Sequence, residues 1–572
     1  MIKKITLSIT LLLLLVCAGL TGVYFKYNPG APIQQLFFNG TVLTMNKNQP
    51  RVEAVLVEGG YIVALGTKQE LLAKTHAETV LHDLNGKTLM PGLVDAHSHF
   101  PGTGLTQVSA DLNSPPIGNK QGMAQVFSAL DAVAHSTAPG EWVLGIGFDE
   151  TLIGEKRYPT RAELDAISQD HPIFVQHISA HSGVVNSAAM KLMGWDDKTQ
   201  NPSGGEFGRD SQGKLNGLII EEPALRVMQV CTNFPLNNKL KIIQASVKDY
   251  LAMGVTTAQN GYAPLTLIPL LRWGTMLGLV PQRLVVWPDG KELDKIMAGE
   301  VSGDKLNNPK FEVGAVKLVL DGSIQQFTGF LSQPYHKKSH GKGSDYRGFL
   351  NYETQAFQQV FNKLHRAGHQ VAIHANGDGA IDTFIDVYKQ AQAQHYRSDA
   401  KPVVVHTQMA RSDQLDEFAK LGIAATFFNS HVYYWGQRHH ETFMGPERAA
   451  RMSPLREALD KGVSTSLHQD SPVVPLNPWL AAWNAVTRQT YDGVVLGIEQ
   501  AITPMEALHT ITIEPARQLM IDDTRGSIEV GKFADLNILK HNPLSSLQAL
   551  KAPRVLQSFI GGVSQFKLAA MD

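Results

Sequence analysis

Cysteine is nearly absent: of 572 residues only Cys17 and Cys231 carry a thiol, and Cys17 lies inside an apolar run near the N-terminus. The folded body therefore keeps one thiol, which excludes an intramolecular disulfide and a cysteine-built zinc cluster there. An excess of charge is also missing, with 51 Lys plus Arg set against 52 Asp plus Glu. Without a basic surplus to neutralise a phosphate backbone, nucleic acid is not an expected partner. No low-complexity tract or short tandem repeat suggests a solenoid.

One long apolar run is present, residues 5–25, preceded by Lys3 and Lys4 and followed by Lys26. A helix of about 20 apolar residues crosses a bilayer, and the lysines place its N-terminal end in the cytoplasm. The expectation is a membrane-anchored or exported protein whose catalytic body is extracytoplasmic. For residues 1–28 an uncleaved anchor is favoured over a cleaved signal peptide, for which Ala18, Gly19 and Gly22 offer small residues. A lipoprotein signal at Cys17 fits less well, because Val16 precedes it.

The length exceeds what one modest core supports, so several units are expected. Short strand-like runs at 33–90, with a Gly59-Gly60 turn, share their texture with runs at 516–566, which predicts one small β domain built from both termini. Between them the pattern changes. Eight buried-strand runs alternate with helical stretches: TLMPGLVDAHSHF, GVTTAQNGY, QRLVVWPDG, VGAVKLVLDGS, HQVAIHANGD, KPVVVHTQMA, GIAATFFNS and VSTSLHQDSP. This α/β alternation predicts a (β/α)8 TIM-like barrel over 91–515, whose chemical residues belong at the carboxyl ends of the strands. Residues 105–235 are too long for one crossover and read as an insertion after the first barrel strand.

Ligand-type side chains fall at those strand ends. His97 and His99 end the first run, and alternation along a strand would put both imidazoles on one face. Lys317 lies in the fourth run, His374 ends the fifth, His406 ends the sixth and Asp470 follows the eighth. Four imidazoles and a carboxylate suit a borderline divalent cation, zinc above all, with manganese or iron as alternatives. A single strand-end histidine is often structural, but a set of five at the ends of one inferred barrel is not explained by packing.

With these residues in place the sequence resembles the amidohydrolase superfamily of metal-dependent hydrolases, and within it the branch called amidohydrolase family 3, or YtcJ-like. The resemblance is carried by LMPGLVDAHSHF (89–100), KLVLDGS (317–323), AIHANGDGAID (372–382), VVHTQ (404–408), HQDSPV (468–473) and GSIEVGKFADLNIL (526–539), and spans about residues 33–566. It implies a metal-dependent hydrolase barrel with a small β-sandwich made from both termini. It also implies metal ligands at His97, His99, His374 and His406, with Asp470 as acid/base beside one or two metals. Lys317 stands where many members carry a carboxylated lysine that bridges two metals. An ammonium beside a divalent cation is repulsive, so Lys317 is a ligand only as its carbamate; the alternative is a structural lysine under Asp321.

A divalent metal lowers the pKa of bound water toward about 7 and polarises a carbonyl. Asp470 can take the proton and pass it to the leaving nitrogen. The resemblance implies a small-molecule substrate with a non-peptide C–N bond: an amide, an N-acyl or N-formyl compound, or a cyclic amide. An ester or phosphoester hydrolase, and a non-catalytic membrane-attached binding protein, are the alternatives. A phosphate substrate would favour basic residues at the mouth, and only Arg438 is there. Candidates for substrate contact are His181 in the insertion, with a structural histidine as its alternative, Asp321 after the fourth run and Asn429 after the seventh. The segment SHVYYWGQRHH (430–440) reads as an aromatic loop over the active face. An isologous dimer has no signature here, and a homodimer stays open.

Overall fold

The computed structural model describes residues 30–202, 204–338 and 342–569. The apolar run expected to act as anchor or signal lies outside them. Among the described residues no helix is long and apolar enough to cross a membrane.

The chain divides into two compact units. The first comprises residues up to Asp95, Val247–Gly314 and residues from Thr512 onward. Both termini contribute strands to it. A six-stranded sheet carries Thr88–Pro91 antiparallel to Leu536–Leu539, with Leu89 opposite Ile538. A four-stranded sheet contains the Ala54–Glu58/Tyr61–Gly66 hairpin, and its turn takes the left-handed backbone that Gly59 and Gly60 adopt without a Cβ penalty (φ 56° and 87°). Phe37, Val55 and Val57 of this sheet share one buried apolar cluster with Leu89, Leu536 and Phe559 of the other. A third sheet of this unit is parallel throughout, made of Leu93–Val94, Val255–Ala263, Arg283–Pro288 and Phe311–Val313.

The second unit, Ala96–Ser246 and Ala315–Ile511, holds every candidate site residue. Its parallel five-stranded sheet runs in sequence order: β1 (Val316–Val319), β2 (Val371–Ala375), β3 (Val403–His406), β4 (Ala424–Phe427) and β5 (Thr465–Leu467). These strands are short, rich in Val and Ala and almost wholly buried, as expected for strands covered on both faces. Helices connect them. Thr354–Arg366 turns Phe357, Phe361 and Leu364 inward at helical spacing, and Ser412–Leu421 ends where Gly422 adopts φ 66°. Each of the eight expected runs contains a parallel strand, and Phe311–Val313 is an additional one.

Residues of the long insertion build a six-stranded mixed sheet, Gly205–Arg209, Leu215–Glu221, Ser182–Val185, Ile173–His177, Val143–Phe148 and Ala110–Asp111 in spatial order. Two apolar clusters flank it, one around Leu130, Phe148 and Ile173 and one around Phe174, Ile219 and Val227.

The segment read as an aromatic loop is a helix, Ser430–Arg438, continued by a π-helical turn. Its start is clamped by Arg488, a fully buried side chain whose guanidinium donates to Asn429 Oδ1 (3.2 Å) and to the carbonyls of Met452 (2.7 Å), Leu496 (3.0 Å) and Ser453 (3.1 Å). Burial pushes this guanidinium down to about 10. Arg488→Met leaves these acceptors buried and unpaired, and is expected to cost about 3 kcal/mol or more. Urea denaturation measures it, and a loss below about 1 kcal/mol would contradict the clamp.

Candidate metal centre

His374 and His406 come from neighbouring strands but not from one register row. His374 pairs with Val319 and Val405, whereas His406 pairs with Ala375, so regular alternation would send the two rings to opposite faces. The backbone reverses this. His406 and Thr407 take left-handed conformations, φ 74° and 47°, which ends β3 and accompanies a T-shaped contact of the His406 ring with His374 at 4.4 Å between centroids. Lys317, two residues before the Val319–His374 pair, falls on the same face as His374.

His97 and His99 lie just past the strand Leu93–Val94 rather than within it. Their placement comes instead from the segment after β5. Asp470 N–H donates to His97 O (3.1 Å), and His99 N–H donates to Ser471 O (2.8 Å). Asp470 itself is left-handed at φ 52°. The result joins the first and last motifs: Asp470 Oδ1 lies 3.0 Å from His99 Nε2 and 3.6 Å from His97 Nε2, and Lys317 Nζ lies 3.2 Å from His97 Nε2. Ligand atoms of His97, His99 and Asp470 all fall within 4.8 Å of one another.

The electrostatics suit a cation. Burial, reinforced by the surrounding imidazoles and Lys317, holds His97, His374 and His406 well below the ordinary histidine value, so their rings are neutral donors at pH 7. Burial raises Asp470, but the hydrogen bond and charge from His99, with His468 and Lys317 nearby, outweigh it and keep the carboxyl ionised. Burial also brings the Lys317 amine down to about 7, partly opposed by Asp470. Neutral nitrogens around one carboxylate are the donor chemistry of a zinc-type site, so the residues fit the metal that the sequence predicts.

Several ligand-type rings are oriented from behind. His374 Nδ1 lies 3.0 Å from Asp321 Oδ1, while Asp321 also accepts from the N–H groups of Asn376, Gly377 and Phe330. His406 Nδ1 lies 3.1 Å from His468 Nε2, and His468 Nδ1 reaches Thr426 Oγ1 at 3.1 Å. Asp321 is thus fully buried behind a histidine, and its oxygens are committed there rather than facing a substrate. Asn429 is equally enclosed: its amide donates to Asn484 Oδ1 (2.9 Å) and accepts from Arg488. His181 differs. Its Nδ1 lies 2.8 Å from Glu221 Oε2, its ring is 5.2 Å from that of His374, and its side chain stays 13% exposed. Burial alone would lower it, but Glu221, then Asp470 and Asp321, leave it above the ordinary value.

Sequence reasoning did not single out His468 or Glu221. His468 stands two residues before Asp470 in the same motif. Glu221 had no period-two signal in the sequence: along Leu215–Glu221 every second residue is buried, Glu221 among them, but two of the three half-exposed positions are Leu218 and Ile220. A second carboxylate–histidine group, Asp149, Glu150 and His177, lies at the strand ends of the insertion sheet. There Arg438 pairs with Asp149 at 2.7 Å, so its charge is already met.

The family model described as "Amidohydrolase family" matches residues 80–564. The chain belongs to the amidohydrolase family. An N-substituted formamide deformylase of Arthrobacter pascens is 28% identical over 542 residues, covering 93% of this chain and 98% of that protein. YtcJ of Bacillus subtilis, which bears the name of an amidohydrolase, is 24% identical over 90% of this chain and 95% of its own length. Among solved structures, an uncharacterised metal-dependent hydrolase from Pyrococcus horikoshii superposes with a TM-score of 0.72 at 24% identity, covering 90% of this chain and 99% of that one. This chain is accordingly a hydrolase of the amidohydrolase family with an α/β fold.

The carboxylate behind His374 generates a prediction. Asp321→Asn removes from its Nδ1 a carboxyl that burial pushes up to about 7 against three backbone N–H groups, and is expected to weaken metal affinity about 10- to 100-fold. Competition against a chromogenic chelator reads this out, and unchanged affinity would detach Asp321 from the metal centre.

Proposed function

We propose that the protein hydrolyses the C–N bond of a small neutral amide, an N-substituted formamide being the leading candidate, with Asp470 as acid/base. The observation that carries the reading is the meeting of one ionised carboxylate with His97 and His99, beside the neutral pair His374 and His406. The 28% identical deformylase supports the choice of substrate.

His97, His99, His374, His406 and Asp470 would hold the metal, zinc by donor type, and Lys317 as its carbamate would let the same set hold two. When bound, the metal supplies Lewis acidity: it lowers the pKa of a water toward about 7 and polarises a carbonyl oxygen. Burial supplies Lys317 with a neutral amine near pH 7, the form whose nitrogen adds to carbon dioxide with loss of a proton. Asp470, held ionised, accepts the proton of the attacking water and returns it to the departing nitrogen as the C–N bond breaks. His181 faces the same centre as the substrate contact.

Phe428, at the end of β4, packs its ring 5.3 Å from His468 and 6.1 Å from His406, and continues into a cluster with Ile178, Trp435 and Val474. Partly exposed Ile117, Tyr434 and Val473 border that cluster and offer an apolar wall for the substituent on nitrogen. Arg438, the basic residue that a phosphoester would have used, is occupied by Asp149. The N-terminal apolar run supports an exported or membrane-anchored setting for this activity.

Release of formate from N-alkyl and N-aryl formamides by the zinc-loaded protein tests the reading. Wild type should turn them over, and Asp470→Asn should lower kcat by about 10²–10⁴. Turnover that survives in D470N removes Asp470 from the mechanism; a zinc-loaded wild type inert toward every amide tried removes C–N hydrolysis itself.

A further inference from the structure

Glu221 is a buried carboxylate that the mechanism above does not use. It ends the strand Leu215–Glu221 with φ 56° and ψ −115°, a conformation that costs a non-glycine residue stability. Its side chain is fully buried, yet Oε1 has no hydrogen-bond partner, a second cost. The neighbouring loop is close-packed against it: a Cβ at residue 322 would lie 2.0 Å from Glu221 Oε1 and 2.1 Å from Thr328 Oγ1, so glycine is required where the chain leaves Asp321.

What Glu221 does touch is His181, and doubly. Its Oε2 meets His181 Nδ1 at 2.8 Å, and its backbone N–H donates to His181 O at 2.7 Å. The two interactions fix both the ring and the backbone that carries it. With Nδ1 taken on one edge and the ring against His374 at 5.2 Å, Nε2 is on the opposite edge, without a partner among the described residues. Strain and an unmet oxygen concentrated on one residue, whose contacts lead to a single imidazole at the centre, identify a device for orientation rather than packing.

We propose that Glu221 is a positioning residue that acts through His181, holding its imidazole with Nε2 turned toward the scissile amide. This rests on the hydrolase reading above and deepens it. Gly322 is compatible with the same device, because its missing side chain leaves space that the Glu221 carboxylate shares with Thr328. Asp321 and Gly322, adjacent in the chain, thereby serve two histidines from one turn: Asp321 backs His374 directly, and Gly322 admits the carboxylate that backs His181.

A double-mutant cycle tests this, using Glu221→Gln, His181→Ala and the pair in the full-length zinc-loaded protein. E221Q keeps the volume of the side chain and loses its charge. With His181 present it should lower kcat on an N-alkyl formamide about 10- to 100-fold with a smaller change in KM. In the H181A background the same change should alter kcat by less than about twofold. Calorimetry with an N-alkyl phosphonamidate, a stable tetrahedral mimic of the attacked amide, should show the same coupling in affinity, and zinc content should match wild type in all three variants. An equal E221Q effect in both backgrounds would overturn the proposal, as would unchanged kcat and analogue affinity with His181 intact, or zinc lost from E221Q. Should E221Q fail to fold, Glu221→Asp, which keeps the charge but shortens its reach, replaces it in the same cycle. A wild type inert toward all amides would refute the hydrolase reading separately, and the analogue-binding arm would still decide whether Glu221 acts through His181.

Discussion

Taking imidazoles out of water is the constraint on which the site depends. A histidine at the surface titrates close to neutrality and is an unreliable donor there, but His97, His374 and His406 are buried so thoroughly that protonation is disfavoured far below pH 7. Their crowding adds to this, because none can charge without repelling the others and Lys317. The single ionised carboxylate among them, Asp470, is stabilised by the same neighbours. A divalent cation would resolve the arrangement: it would repay the desolvation of neutral nitrogens and pair with the one anion.

Such a cluster holds its geometry only if something outside it aims each ring. Asp321 does so for His374 and His468 for His406, while the Asp470 segment is tied by backbone hydrogen bonds to the His97–His99 segment. Left-handed backbone at Glu221, His406, Thr407 and Asp470 gathers in this one region of the second unit. These residues are compelled by their neighbours into conformations that cost energy, and the return is convergence of side chains from strand ends that regular geometry would leave apart.

Much of this was legible in the sequence, for a physical reason. Polar residues ending short apolar runs stand out because nothing in packing requires them, and His97, His99, Lys317, His374, His406 and Asp470 were singled out that way. The α/β alternation and the strands shared by both termini were readable from texture. Period-two reasoning failed where the chain stops being a strand: His97 and His99 lie past their strand, and His406 reaches the centre only through its positive φ. The enclosure of Asn429 was not legible because its partners, Asn484 and Arg488, are more than fifty residues away in sequence and invisible without the fold. The helix at Ser430–Arg438 was hidden by aromatic and histidine content that reads equally well as a loop. Glu221 was not singled out because its strand, LNGLIIE, alternates in burial but not in polarity, with Leu218 and Ile220 on the half-exposed side.

The proposed chemistry requires the buried imidazoles to gather around a metal. Elemental analysis of the purified protein, after incubation with zinc and removal of free ion, measures this directly for wild type beside His97→Ala and His374→Ala variants. One or two equivalents in wild type, with two pointing to a carboxylated Lys317, and a clear loss in both folded variants is the predicted result. A folded wild type that retains no metal, or variants that retain as much as wild type, would contradict it.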